Sequence, residues 1–159
     1  PATGLGLFDE AELAHQAADL LLLAVEEGSK LGTGLILVDP PFEKSGEFDR
    51  LIDGAIKAHR RWPGGLQALW YPVKDRQAVA AFRAGLADSG IPKILDLSLM
   101  IRADGPVPSL DGCGMAIINP PFVLEEEMRI ILPVLTRLLC DGKGASWNAE
   151  WLAGPETGA

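Results

Sequence analysis

The sequence predicts an α/β domain, and three observations carry that prediction. Short, continuous apolar runs such as Leu35–Val38 alternate with longer stretches of helical periodicity. The runs stop at prolines or at Gly/Asp clusters, as strands buried on both faces of a parallel sheet do. A composition of 48% hydrophobic and 23% charged residues over 159 residues suits one domain with a substantial core. Disorder, a collagen repeat and a disulfide scaffold are excluded by the same numbers.

Taken in order, Asp9 caps a helix running to about Glu27, with Glu10 and Glu12 at its positive end. Gly28 and Ser29 stop it. The run Gly34-Leu-Ile-Leu-Val38 is the first strand, halted by Asp39-Pro-Pro-Phe42. A helix follows over about Glu47 to Trp62, where Phe48, Leu51, Ile52, Ala55, Ile56 and His59 share one face. Pro63-Gly-Gly65 breaks it. Leu66–Tyr71 is a second strand closed by Pro72, and Asp75 caps a helix to about Asp88, ended by Ser89-Gly90. Ile94–Ile101 is a third strand. A loop rich in Gly, Pro and Asp leads to a fourth, Gly114–Ile118, closed by Asn119-Pro-Pro-Phe122. The last helix runs from about Glu125 to Leu139, with an expected kink at Pro133. The tail from Asp141 is rich in small residues, and Trp147 and Trp151 are expected to fold back onto the domain.

Charge and cysteines narrow the function classes. Fourteen Lys and Arg against 22 Asp and Glu leave a net charge of −8, which disfavours a protein that coats nucleic acid indiscriminately. The stretch Glu43–Arg83 is nevertheless +3, and the rest −11, so one basic edge is compatible with nucleic acid. Cys113 and Cys140 read as free thiols of a reducing compartment, hence a cytoplasmic setting. Neither sits at metal-ligand spacing with His15 or His59, so no metal site is expected. The longest apolar run, Leu20–Val25, is far short of a membrane span. The opening at Pro1, without Met, points to a partial chain.

The turn Asp39-Pro-Pro-Phe42 concentrates chemistry. Ligands of open α/β sheets bind beyond the carboxyl ends of the strands, and this turn occupies such an end. Two prolines fix two φ angles and remove two N–H donors, leaving the turn's carbonyls free and held in fixed directions. The Asp39 carboxylate and a rigid carbonyl make a paired acceptor, and Phe42 adds a flat apolar face. Those parts suit a planar base with an exocyclic amine. Accepting both amine hydrogens draws the nitrogen lone pair out of conjugation and makes it nucleophilic toward an electrophilic methyl group. The plainer alternative is that Asp39 caps a loop and Phe42 belongs to the core.

Asp-Pro-Pro-Phe resembles motif IV of the adenine-N6 methyltransferases, Asp/Asn/Ser-Pro-Pro-Tyr/Phe. The ordered series Leu35-Ile-Leu-Val-Asp-Pro-Pro-Phe-Glu43, His59-Arg-Arg-Trp62, Ala68-Leu-Trp-Tyr-Pro-Val-Lys74 and Gly114-Met-Ala-Ile-Ile-Asn-Pro-Pro121 is similar to the bacterial 23S rRNA adenine-N6 methyltransferases of the RlmJ family. Ser89-Gly-Ile91 and Trp151-Leu152 fit as well. The resemblance implies a Rossmann-like class I fold that uses S-adenosylmethionine and acts on 23S rRNA. In it Asp39 is the catalytic acidic residue, accepting from the target amine, and it also borders the methyl donor. The Pro40 carbonyl holds the second amine hydrogen, and Pro41 and Phe42 face the flipped adenine. Asp19 aligns with a family acid near the donor's adenine, or is simply a polar position on a helix.

The resemblance covers residues 34–152, with a weakly matching helical segment over 1–33 and a flexible tail over 153–159. The strand, glycine-rich turn and acidic-ended strand that open such folds are not found. Gly4-Leu-Gly6 follows no strand, and Gly32-Thr-Gly34 enters the wrong one. The chain therefore reads as the C-terminal part of the domain. It is expected to pair with a missing N-terminal half, or with a second copy across an exposed sheet edge.

Of the remaining candidates, Lys74 and Arg76 lie at a strand's carboxyl end and are read as RNA phosphate contacts. His59-Arg60-Arg61 fits RNA contact and helix-end stabilisation equally. Asn119 accepts and donates but takes no proton, so it is read as a turn at the rim of the substrate pocket. Trp70 and Tyr71 are core residues or stacking platforms. Two other functions stay open. One is a catalytically incomplete module that binds RNA or a partner; the other is methylation of DNA adenine or a protein glutamine amide.

Overall fold

In the computed structural model the described residues are 34–42, 45–103 and 109–154; the helix expected over Asp9–Glu27, and Asp19 with it, lies outside them. Strands β1 (Leu35–Val38), β2 (Leu66–Val73), β3 (Ile94–Met100) and β4 (Gly112–Ile118) form where the apolar runs are. Helices α1 (Glu47–Arg61), α2 (Arg76–Ala87) and α3 (Leu124–Leu139) form where the helical periodicity is. A fifth strand, β5 (Ser146–Ala153), occupies the segment expected as a tail.

The strands make one mixed sheet in the order β1-β2-β4-β3-β5. β1 and β2 pair in parallel, with Val38 opposite Leu69. β4 is antiparallel to both β2 and β3, and β5 is antiparallel to β3. The parallel expectation thus holds for β1, β2 and β3, which point the same way, and fails for β4 and β5. The reason is connective. α1 carries the chain from β1 back to start β2, and α2 does the same for β3, whereas no helix is described between β3 and β4. A parallel return needs a crossover of a dozen or more residues.

β5 escaped the sequence reading because glycines surround it. Its own pattern is period two: Trp147, Ala149 and Trp151 point to one face and pack with Leu95, Leu97 and Leu99. Both tryptophans therefore fold back onto the domain as expected, but as part of the sheet.

The sheet carries a core on each face. On one, Leu69, Tyr71, Ile94, Ala116 and Ile118 meet Leu51 and Ala55 of α1 and Phe82 and Leu86 of α2. On the other, Leu95, Leu97, Leu99 and Ile117 meet Leu132 of α3. That second face is only partly covered. Leu35 and Leu37 at the β1 edge are 64% and 63% exposed. α3 continues through Pro133 as one helix.

α2 begins as predicted: Asp75 Oδ1 accepts from the Gln77 and Ala78 amides at 2.8 and 3.2 Å. Beneath that helix lies a buried polar network. The Tyr71 hydroxyl donates to Asp96 Oδ1 at 2.7 Å across β4. It can do so because Gly114 stands between them, where a Cβ would fall 2.1 Å from the Tyr71 ring. Arg83 Nε lies 3.1 Å from Asp96 Oδ2, an ionic contact without hydrogen-bond alignment, while Arg83 Nη2 donates to Glu150 at 2.5 Å. Burial pushes the Asp96 carboxyl above its ordinary value, against the pull of the Tyr71 bond and the Arg83 charge. Burial likewise raises the Tyr71 phenol.

Candidate active site

The carboxyl ends of β1, β2 and β3 share one edge of the sheet. Because Val38 is opposite Leu69, β2 runs on past the end of β1, and the Asp39-Pro-Pro-Phe42 turn lies alongside it. Asp39 and Pro41 are exposed, whereas Pro40 and Phe42 are half-buried. Phe42 adopts φ 51°, a left-handed conformation uncommon for an aromatic residue. It is held there by its neighbours: its ring centroid is 5.2 Å from that of Phe48 and 6.0 Å, edge-on, from that of Trp70. Phe48 in turn rests on Phe82 at 4.8 Å, so an aromatic row runs from the turn into the core. Trp70 thus braces Phe42, and Tyr71 is wholly buried.

Past Phe42 a cavity of about 270 Å³ opens between the turn, the first turn of α1 and the entry to α2. Phe42, Phe48 and Pro72 give it apolar walls; Ser45, Glu47, Lys74 and Asp75 add polar groups. Lys74 is exposed just past the end of β2, with Arg76 two residues on at the start of α2. Sequence reasoning named Phe42 and Lys74 on separate grounds, and the structure puts both on the wall of this cavity.

The same edge is laced by main-chain and ionic bonds. The Asp111 amide donates to Val73 O at 3.0 Å, and the Ile101 amide donates to Asp111 O at 2.8 Å. Arg102 spans two carboxylates, donating to Asp111 at 2.8 Å and to Asp141 at 2.6 Å. The Ser109 hydroxyl also donates to Asp111. These bonds, the Ser109 one foremost and then those of Arg102, hold the Asp111 carboxyl below its ordinary value.

Asn119 is not at this edge, which corrects its reading as a pocket-rim residue. β4 runs antiparallel, so its end at Ile118 lies opposite Gln67 and Ile94, the starts of β2 and β3. Asn119 thus stands level with Leu66, whereas Asp39, following Val38, stands level with Trp70, four residues or roughly 13 Å further along the strand. At that far end the Asn119 side-chain amide donates to Pro63 O at 2.7 Å and Gly65 O at 2.9 Å, tying off the turn that starts β2. Asn119 has φ 53°, which asparagine tolerates better than most residues. His59, Arg60 and Arg61 close α1 away from the Asp39 turn, and burial lowers the His59 pKa.

Among the described residues no three His, Cys, Asp or Glu side chains gather as a metal site, and no helix is long and apolar enough to cross a membrane. Cys113 and Cys140 are free.

Comparison with known proteins fits this architecture. The family model described as "Ribosomal RNA large subunit methyltransferase D, RlmJ" matches residues 8–153. Ribosomal RNA large subunit methyltransferase J of Haemophilus influenzae is 39% identical over 119 residues, and its Escherichia coli counterpart 37% over 120. Each match covers 75% of this chain but 42% of the relative, so the chain spans less than half the length of these proteins. The crystal structure of protein LPL1258 from Legionella pneumophila superimposes with a TM-score of 0.69 at 26% identity, covering 79% of this chain and 45% of that one. With the family model matching residues 8–153, almost all of this chain, and the Asp-Pro-Pro-Phe turn at the carboxyl edge of the sheet, this chain belongs to the RlmJ family.

Proposed function

We propose that this chain is the C-terminal portion of a Rossmann-like, S-adenosylmethionine-dependent methyltransferase acting on the N6 amine of an adenine in 23S rRNA, in the cytoplasm. The observation that carries the reading is the exposed Asp39 carboxylate in a proline-fixed turn beside a braced Phe42, in a chain of this family. The described residues fit one wall of a donor site: Asp39 and Pro40 at the carboxyl end of β1, next to the uncovered edge of the sheet. S-adenosylmethionine, when bound, supplies the electrophilic methyl group.

The chain's own residues do the rest by position and polarity. The Asp39 carboxylate accepts one amine hydrogen, and the Pro40 carbonyl accepts the other. Transfer would break the methyl–sulfur bond, release neutral S-adenosylhomocysteine and leave the amine nitrogen cationic, and the Asp39 carboxylate would take the proton that nitrogen sheds. Phe42, with Pro41 beside it, offers the adenine a face that Phe48 and Trp70 keep from rotating away. Lys74 and Arg76, at the next strand end, draw the RNA phosphates to this edge.

Methyl transfer to rRNA by wild type, Asp39→Asn and Asp39→Ala tests the reading, alongside calorimetric titration with S-adenosylhomocysteine. The variants are expected to lose nearly all transfer with an unchanged melting temperature; wild-type turnover in either overturns the role of Asp39. Equal methylation of DNA, or of protein, overturns the substrate.

A second reading is favoured by the β1 edge, where Leu35 and Leu37 stand exposed at the end of the sheet. In it the chain is incomplete alone and completes its sheet with the missing N-terminal half or with a second copy. Failure to bind S-adenosylhomocysteine, together with a concentration-dependent increase in mass, supports this reading over the first.

A further inference from the structure

Four cations gather at the amino end of the sheet, away from the Asp39 turn. Lys57, Arg60 and Arg61 follow one another at i, i+3 and i+4 on α1, so they share its outer face, and all three are exposed. The fold adds Lys93, which is also exposed. The Lys93 carbonyl accepts from the Asn119 amide at 3.0 Å, and the Asn119 side chain donates at 2.7 Å to the carbonyl of Pro63, two residues past Arg61. One asparagine thus spans the gap between the end of α1 and the turn before β3. Trp62, buried against Gly34 and Gly65 where a Cβ would strike its ring, fixes that end of α1 in place.

Arg50, Arg83, Arg102 and Arg129 each meet a carboxylate. No ion pair among the described residues reaches Lys57, Arg60, Arg61 or Lys93, and Asp53 and Asp88, the acids nearest them in the chain, make none with them. Favourable placement at a helix C-terminus accounts for Arg60 and Arg61 but not for Lys93, which belongs to no helix. α2, on the same face of the sheet, ends without a basic residue in its last turn. The exposed acids Glu126 and Glu127 belong to α3, on the opposite face.

In a chain of net charge −8, four unpaired cations at one corner suit a partner that carries repeated negative charge. A membrane surface would also ask for apolar side chains beside the cations, and none of the exposed large hydrophobics lies on α1 or in the turn before β3. An RNA backbone asks for charge, and the family matched by this chain is one of ribosomal RNA methyltransferases. We infer that Lys57, Arg60, Arg61 and Lys93 form a second RNA contact, which holds backbone phosphates of the substrate at the amino end of the sheet. α1 is 15 residues, about 22 Å, long, so this contact lies one helix length from the Asp39 turn. The substrate is then gripped at both ends of α1, by Lys74 and Arg76 at one and by this corner at the other. The inference rests on the RNA methyltransferase reading and deepens it, by giving the RNA a footprint beyond its target base.

The test is the salt dependence of RNA binding, read by fluorescence anisotropy of a labelled RNA hairpin in about 50–300 mM KCl. Each cation that meets a phosphate contributes about 0.7–0.9 to the slope of log affinity against log salt. Arg60→Gln/Arg61→Gln/Lys93→Gln is expected to lower that slope by about two and to weaken binding at the lowest salt by about tenfold or more. Lys93→Gln alone, which leaves the helix end intact, is expected to lower it by about one. Arg60→Lys/Arg61→Lys keeps the charges and is expected to keep the wild-type slope. A triple variant with an unchanged slope overturns the inference, as does a wild type whose RNA binding is absent or insensitive to salt. A slope lost as fully in the lysine variant overturns it too, because charge is then not what binds. Wild-type binding to polyglutamate that the triple variant loses to the same extent makes the corner a site for an acidic protein and overturns the RNA assignment. Methyl transfer by the Asp39 variants is read separately, so the inference can fail while the proposed function stands, and the reverse.

Discussion

The buried Tyr71–Asp96 hydrogen bond offers a measurement in which size and pH dependence are both set by the structure. Tyr71→Phe removes one oxygen and keeps the ring that packs over Gly114 and, 5.2 Å centroid to centroid, on Phe82. It leaves Asp96, 0% exposed, with only the misaligned Arg83 contact. Losing a hydrogen bond to a charged buried group costs about 1.5–3 kcal/mol. For a chain of this length that lowers the melting temperature by about 3–12 °C. The sign of the pH dependence follows from Asp96. Its folded pKa is raised by burial above the ordinary 3.8, so its contribution to stability is present below that value and is lost as pH rises through the folded pKa. The Tyr71 bond partly opposes that rise, so without it the folded pKa climbs further and the loss with pH is greater. The deficit of Tyr71→Phe relative to wild type is therefore expected to grow from acid toward neutral pH. Urea unfolding of both proteins across a pH series from about 4 to 8 reads this directly. A deficit below about 0.5 kcal/mol, or one that is flat with pH, refutes the assignment of Asp96 as a buried group held by Tyr71.

Phe42→Ala removes the stacking face and its contacts with Phe48 and Trp70; target-base affinity falls, and stability drops by about 1–2 kcal/mol because the side chain is only half-buried. Nucleotide titration and urea unfolding check the two parts. Asn119→Ala loses both bonds to the Pro63–Gly65 turn and strains a positive φ, costing about 1–2 kcal/mol, whereas nucleotide binding at the other end of the sheet stays unchanged. Arg102→Met unties Asp111 from Asp141, and the Asp111 carboxyl rises toward its ordinary value; NMR titration of that carboxyl follows the change. Asp111, Glu125 and Glu150 all sit below their ordinary values in the fold, each held first by a neighbouring hydrogen bond, from Ser109, Trp151 and Asn148 respectively. Their stabilisation is present above the unfolded values and is lost as pH falls through the folded ones, so Glu125→Gln is expected to lower stability at neutral pH and to flatten its fall toward acid, read by urea unfolding across pH.

By itself the sequence determined the elements whose cause is local. β1, β2, β3 and β4 announce themselves as apolar runs closed by turn residues, and α2 is capped by Asp75, because periodicity and capping are properties of neighbouring residues. The candidate site was legible where it depended on one contiguous turn: two prolines fix the backbone of Asp39–Phe42 wherever that turn is placed. The tertiary structure alone decided what depends on partners distant in sequence. It set the direction of β4, and with it put Asn119 at the far end of the sheet from a turn it matches almost letter for letter. It made a strand of Ser146–Ala153, whose alternation has meaning only once β3 offers an edge to pair with. It buried Asp96 against Tyr71 and Arg83. Hydrogen-bond satisfaction and burial are sums over neighbours in space, and a chain read in order does not contain those neighbours until it has folded.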